Sequence, residues 1–227
     1  MIVRMGLLNR RPELSPEAFT RYWREVHGPL AARMPNLRRY EQNVVIDRSQ
    51  LAIDHARGAM DLDGFSQLWF DDPATMDDAL ASPEFDPVIP DNDRFVGRIG
   101  VLVAQPNIVI PVEEGPLIKR MSLLRRRPDI DAQQFRREWF GFHAEAVSRF
   151  PRIAGYIQNL VVTRGSHSRV PAAYDELPID GVVEMWFRNR DDLNAAFASP
   201  AAEVSQSHAK DFIAEITTFL VEPYRVV

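Results

Sequence analysis

The sequence predicts an α+β chain made of two copies of one β-α-β-β-α-β unit. Three observations predict it. Shifting Arg4–Val45 by 116 places it on Arg120–Val161, with 17 of 42 positions identical. After one inserted residue the match resumes at a shift of 117, where "DGFSQLWF" (63–70) falls on "DGVVEMWF" (180–187) and "ALASP" (79–83) on "AFASP" (196–200). Both copies also alternate short apolar runs with amphipathic stretches in the same order. The period is too long for a solenoid, whose repeats span roughly 20–50 residues. It suits two domains of about 110 residues: residues 1–108, a linker at 109–116 within the Pro-rich "QPNIVIPVEEGP" (105–116), and residues 117–227.

Each element has a local cause. Residues 2–8 are an apolar run that fits a strand. Ser15-Pro16 supplies a helix N-cap with proline in the first turn, and Asp131 with Gln134 resembles a capping box in the second copy. The helix presents Phe19, Trp23, Val26, Leu30 and Met34 at spacings of three or four, and Pro35 closes it. Residues 40–46 and 64–70 read as strands. Asp72-Pro73 opens a second helix that ends near Ser82-Pro83, and residues 95–104 form the last strand. This order is the ferredoxin-like split unit, with helices on one face of a four-stranded sheet. Strand 1 is apolar on both sides, so the other face also needs cover. The second copy supplies it, and the expectation is two ferredoxin-like repeats packed sheet to sheet as a single-chain α+β barrel.

Composition narrows the function classes. Hydrophobic residues are 45% and charged residues 26% of the 227, an ordinary globular balance. The chain has no cysteine, which excludes disulfides and thiolate metal sites. The net charge of −5 disfavours a nucleic-acid footprint. No apolar run approaches the ~20 residues of a membrane span, and the N-terminal apolar run is too short for a signal peptide, so the expected location is cytoplasmic. There is no glycine-rich phosphate loop or G-x-S-x-G elbow. Asp54, His55, Asp61 and Asp63 share a polar loop without metal-ligand spacing, so no metal site is expected.

The segment "YWREVHGPLAARMPNLRRYEQN" (22–43) resembles the signature of the EthD-like family, within the dimeric α+β barrel superfamily, and "EWFGFHAEAVSRFPRIAGYIQN" (138–159) repeats it more weakly. The resemblance implies a barrel that relatives build from two chains, here fused. It implies little chemistry: the wider superfamily includes muconolactone isomerases, polyketide cyclases, cofactor-free monooxygenases and haem proteins, and a fold does not choose among them. In the second copy "HAEA" replaces "HGPL", a departure from the family pattern.

His27 heads the candidate residues. It lies four residues after Trp23 on the stripe facing the sheet, where a histidine can be a base, an axial ligand or a hydrogen-bonded core residue. Pro29 should free the Glu25 carbonyl and bend the helix beside it. Polar residues recur inside the strands: Arg4 and Arg120, Gln42-Asn43 and Gln158-Asn159, Gln67 and Glu184. One reading is a satisfied polar network in the barrel, with Arg120 paired to Glu184. The other is a pocket lined by Tyr40, Gln42, Asn43, Trp69, Trp23 and Arg4, with His27 as base and Glu184 as a second proton carrier. The repeated Trp23, Trp69, Trp139 and Trp186 also fit a core, and His143 fits packing better than chemistry. His167 and His208 carry no specific signal. The expected function is a cofactor-independent lyase, dehydratase or isomerase on a small aromatic, lactone or polyketide-like molecule. The alternatives are a cofactor-free oxygenase, a haem protein ligated by His27, and a non-catalytic small-molecule-binding protein. A homodimer through the outer helices is left open.

Overall fold

The computed structural model describes residues 1–167 and 169–227. The first repeat supplies β1 (Ile2–Arg10), β2 (Arg39–Asp47), β3 (Gly64–Phe70) and β4 (Val96–Ile110). The second supplies β5 (Ile118–Arg126), β6 (Ile153–Gly165), β7 (Gly181–Phe187) and β8 (Ile213–Arg225). All strand pairings are antiparallel, and they close one barrel in the order β1-β3-β2-β8-β5-β7-β6-β4. The two sheets face each other across a shared interior and are also hydrogen-bonded edge to edge, β2 to β8 and β4 to β6. Closure removes the open edges that a four-stranded sheet would present. The Pro-rich stretch expected as linker is strand as far as Ile110, because Ala104–Ile110 pairs with Tyr156–Val161 of the other repeat.

Alternate residues of each strand point inward. Val3, Met5, Phe65, Met121, Val182 and Phe219, from both repeats, form one buried cluster inside the barrel. The other face of each sheet packs under helices. α1 (Pro16–Tyr22) starts at Ser15, whose hydroxyl accepts from the Ala18 N–H, and α5 (Ala132–Glu138) starts at Asp131 in the same way. α2 (Gly28–Ala31), α3 (Pro73–Leu80) and α4 (Val88–Asn92) complete the first repeat. α6 (Ala144–Ser148), α7 (Arg190–Phe197) and α8 (Pro200–Phe212) complete the second. Among the described residues no helix is long and apolar enough to cross a membrane.

A five-residue π-turn separates α1 from α2 (Trp23–His27) and α5 from α6 (Trp139–His143). Pro29 is not its common cause, since the second copy has the same turn without a proline, using instead a non-helical Gly141. Both copies share a glutamine from the neighbouring strand. Gln42 Nε2 donates to the Trp23 carbonyl at 2.8 Å, and Gln158 Nε2 donates to the Trp139 carbonyl at 2.7 Å. Each satisfies a carbonyl at the widened turn, where the regular ladder is interrupted. The inserted residue rotates the helix face. Phe19, Trp23, His27, Ala31 and Met34 are buried, while Val26, expected on the apolar stripe, is 46% exposed. The repeated Asp-Gly before β3 and β7 has a packing cause. A Cβ on Gly64 would lie 2.6 Å from the Trp23 ring, and one on Gly181 would lie 2.4 Å from the Trp139 ring.

A fragment ending at residue 112 keeps one sheet but leaves its interior face and both cross-repeat edges open. It should elute as a self-associated or aggregated species in size-exclusion chromatography with light scattering. A folded, soluble monomer would show that the barrel does not depend on the second repeat.

Candidate functional site

The π-turn delivers His27 to the space between helix and sheet, where it is 6% exposed. Its Nδ1 lies 2.8 Å from Asp91 Oδ2 on α4, and Tyr22 Oη donates to the other oxygen of Asp91 at 2.7 Å. Asp91 fixes the tautomer: the proton sits on Nδ1, leaving Nε2 as the free acceptor. Burial, opposed by Asp91, lowers the His27 pKa from its ordinary value, so the ring is neutral at pH 7. Phe95 packs against it at 4.8 Å between ring centroids.

His27 lines a narrow cavity of about 30 Å³ with Arg4, Trp23, Tyr40, Phe85 and Asn92. Arg4 is buried, and its one charge interaction among the described residues is with the Phe85 ring, 5.9 Å away. Desolvation lowers its pKa to about 10, which leaves it a cation. Tyr40 is held by Trp23 Nε1 (3.2 Å) and Gln42 Nε2 (3.1 Å), and burial raises its pKa to about 12. His167 enters the same cavity from the β6–β7 loop of the other repeat. In return Ile53, from the β2–β3 loop, lines the equivalent cavity of the second repeat. The space beside His27 holds one or two waters, and a porphyrin does not fit it.

The remaining sequence candidates face the other way. Asn43, Trp69 and Glu184 point into the barrel, across the sheet from His27, so Glu184 and His27 do not share a site. Nor is Glu184 paired with Arg120. Its partner is Lys119, which is fully buried and lies 2.7 Å from Glu184 and 2.5 Å from Glu41. Gln67 accepts from Lys119 (2.8 Å) and donates to Glu184 (2.7 Å), and Asn43 and Asn159 donate into the same cluster. Burial alone would raise the Glu41 carboxyl, but Lys119 and Arg39 outweigh it and hold it below the usual range. Among the described residues no group of His, Asp or Glu side chains is placed to hold a metal ion.

A family model for the EthD domain matches the chain twice, at residues 11–99 and 127–215. The chain belongs to the EthD family. No match was found among curated proteins. An anthrone oxidase-like protein of known structure superposes with a TM-score of 0.67 at 10% identity, covering 99% of this chain and 93% of its own. A protein from Lactobacillus acidophilus NCFM, described as a candidate monooxygenase, gives 0.59 at 10% identity, covering 100% and 94%. An EthD family protein from Bacillus halodurans c-125 covers 46% of this chain and 98% of its own, at 21% identity and a TM-score of 0.38. The first two likenesses, over whole chains at low identity, are likenesses of fold.

The two EthD repeats differ at one decisive place. The 117-residue register puts His208 where the first repeat has Asp91, and the 116-residue register puts Glu138 where it has Tyr22. His143 therefore meets a histidine ring, 5.7 Å away and stacked, and its Nδ1 has no hydrogen-bond partner among the described residues. His208 bonds instead to Glu138 at 3.2 Å. Burial, and secondarily His208, push the His143 pKa down to about 3. Sequence motifs pick out neither Asp91 nor Tyr22, Lys119 or His167. The signal for Asp91 lies in the repeat register, where an unequal pair (Asp91, His208) accompanies an equal one (His27, His143).

Two outcomes follow from these clusters. Lys119→Met leaves Glu184 buried without a counter-ion and Glu41 with Arg39 alone, and should cost about 3–5 kcal/mol in urea denaturation. Adding Glu41→Gln and Glu184→Gln should recover most of it, and a single-variant loss below about 1 kcal/mol would show that the ion pair does not hold the interior. The second concerns pH. A histidine whose folded pKa is depressed leaves stability intact above about 6.5 and removes it as pH falls toward the folded value. His143→Gln should therefore flatten the acid limb between pH 6.5 and 3, gaining on the order of 1–2 kcal/mol on wild type at pH 5. Parallel stability curves for the two proteins would contradict it.

Proposed function

We propose that this chain is a cofactor-independent enzyme that moves a proton on a small enolisable or phenolic molecule, and that the first EthD repeat holds the working site. The observation that carries the reading is the Tyr22–Asp91–His27 chain beside an unpaired Arg4, an arrangement the second repeat lacks. In this reading His27 Nε2 removes a proton from carbon or oxygen of the ligand. The bonding electrons pass to the adjacent carbonyl or phenol oxygen, and Arg4 stabilises the anion. Asp91 stabilises the imidazolium formed, as a carboxylate does behind a catalytic histidine. Return of the proton to a different carbon gives isomerisation; its transfer from the imidazolium to a β-hydroxyl, as that C–O bond breaks and the enolate electrons form the C=C bond, releases water and gives dehydration. Entry of anything larger than water requires Phe85 and His167 to move aside. The tightness of the cavity favours a second reading, small-molecule binding without turnover.

Solvent exchange separates the two without naming the reaction. Small aromatic acids, phenols and lactones that raise the melting temperature are incubated with the enzyme in D₂O, and loss of ligand C–H signal is followed by NMR. Wild type should catalyse exchange with a rate that rises through an apparent pKa below 6.5 and is flat near neutrality, because burial depresses His27. His27→Gln and Asp91→Asn should each slow exchange by roughly 10²–10⁴-fold with melting temperatures near wild type, while His143→Gln stays within a few-fold. Binding without exchange would leave the carrier reading in place, and exchange indifferent to His27→Gln would refute His27 as the base.

A further inference from the structure

The cavity of the second repeat is a different chemical object from that of the first. Its volume is about 40 Å³, and it lies between β5–β8 and helices α6 and α8, with Ile53 of the first repeat at its rim. Leu124, Val147, Phe150 and Ile216 make its walls apolar. Arg120 enters it from β5 and is 2% exposed. The guanidinium lies over the Phe197 ring at 4.4 Å. It donates to Thr218 Oγ1 at 3.0 Å and to Met185 Sδ, a weak acceptor, at 3.6 Å. Its Nε has no partner, and among the described residues no carboxylate forms an ion pair with it. Of five guanidinium N–H groups, therefore, two are used. His143 lines the same space, while Ser122 Oγ is occupied with Thr218 at 3.1 Å.

A buried charge with donors unused is costly to keep. Desolvation lowers its pKa to about 9 and still leaves it charged at neutrality. We infer that the second repeat carries a binding site for a short-chain monocarboxylate, its two oxygens on Arg120 and its alkyl tail among the apolar walls, with Ile53 at the rim moving aside to admit more than a water. One cation matches one negative charge, which disfavours a phosphate dianion. A planar carboxylate accepts two parallel N–H bonds from a guanidinium, and these are stronger than bonds between neutral groups. The site binds rather than reacts, because no acid stands behind this histidine as Asp91 stands behind His27.

The test uses the full chain and sodium propionate, with propionamide as a neutral isostere and sodium chloride to hold ionic strength constant. Propionate should raise the melting temperature saturably, by about 3–5 °C at ten times its dissociation constant, and propionamide should not. Arg120→Met should abolish the rise. Arg4→Met, which alters the first cavity, should keep at least half of it. Crystals of wild type soaked in propionate report independently of whether Arg120→Met folds: density for a carboxylate against Arg120 supports the site. Equal shifts with propionamide or chloride, a shift retained in Arg120→Met, a shift lost in Arg4→Met alone, or density only elsewhere would each overturn it. Because these readouts involve neither His27 nor turnover, they stand or fall apart from the proposed activity.

Discussion

A single ammonium group, Lys119, is fully buried inside the barrel. Its charge is met by Glu41 from the first repeat and Glu184 from the second, so the ion cluster is complete only when both halves are present. Such a pair is not in itself strong evidence for stability, because desolvation opposes the attraction. What it does impose is register. Shifting β2 or β7 by one residue would turn its carboxylate to the helix side and leave the lysine bare. The amide ladder of Asn43, Gln67 and Asn159 closes the remaining valences around it. This cluster and its apolar neighbours fill the inward face of the barrel, and the cavities of His27 and His143 lie on the outward face, beneath the helices.

On that outward face the repeats share a frame. Tryptophan, tyrosine and glutamine hold the π-turn in both, and a strand arginine lies beneath it in both. The frame aims a histidine at a small cavity and leaves that histidine's character to its neighbour. Next to a carboxylate the ring keeps one nitrogen oriented and the other free. Next to a second imidazole it is only a neutral, buried heterocycle.

The fold is legible in the sequence because a repeat states its own boundaries. The strands at 2–8, 40–46 and 64–70 lie within β1, β2 and β3, and the caps at Ser15, Asp72 and Asp131 stand where helices begin. Part of the candidate site is legible as a grouping: His27, Arg4, Trp23 and Tyr40 line one cavity. Assigning Asn43 and Trp69 to that cavity ignores the strand alternation, which sends neighbouring residues to opposite faces. The exposure of Val26 follows from a π-turn, and an inserted residue leaves no mark in a pattern read at constant pitch. Asp91 lies 64 residues from its histidine, and Lys119 has Val3 as its counterpart, so neither is marked by local spacing.

Covalent fusion changes what a point mutation means. In a barrel assembled from two identical chains, each codon is read into both halves, so any alteration of one cavity is an alteration of the other. Aspartate at one helix and histidine at the equivalent helix cannot coexist under that rule. Once the gene for the unit is doubled and joined, the two cavities are separately heritable while the shared interior still holds them together. Selection can then retain a carboxylate at position 91 and allow position 208 to drift or take up another role, without the paired substitution that a symmetric dimer would force.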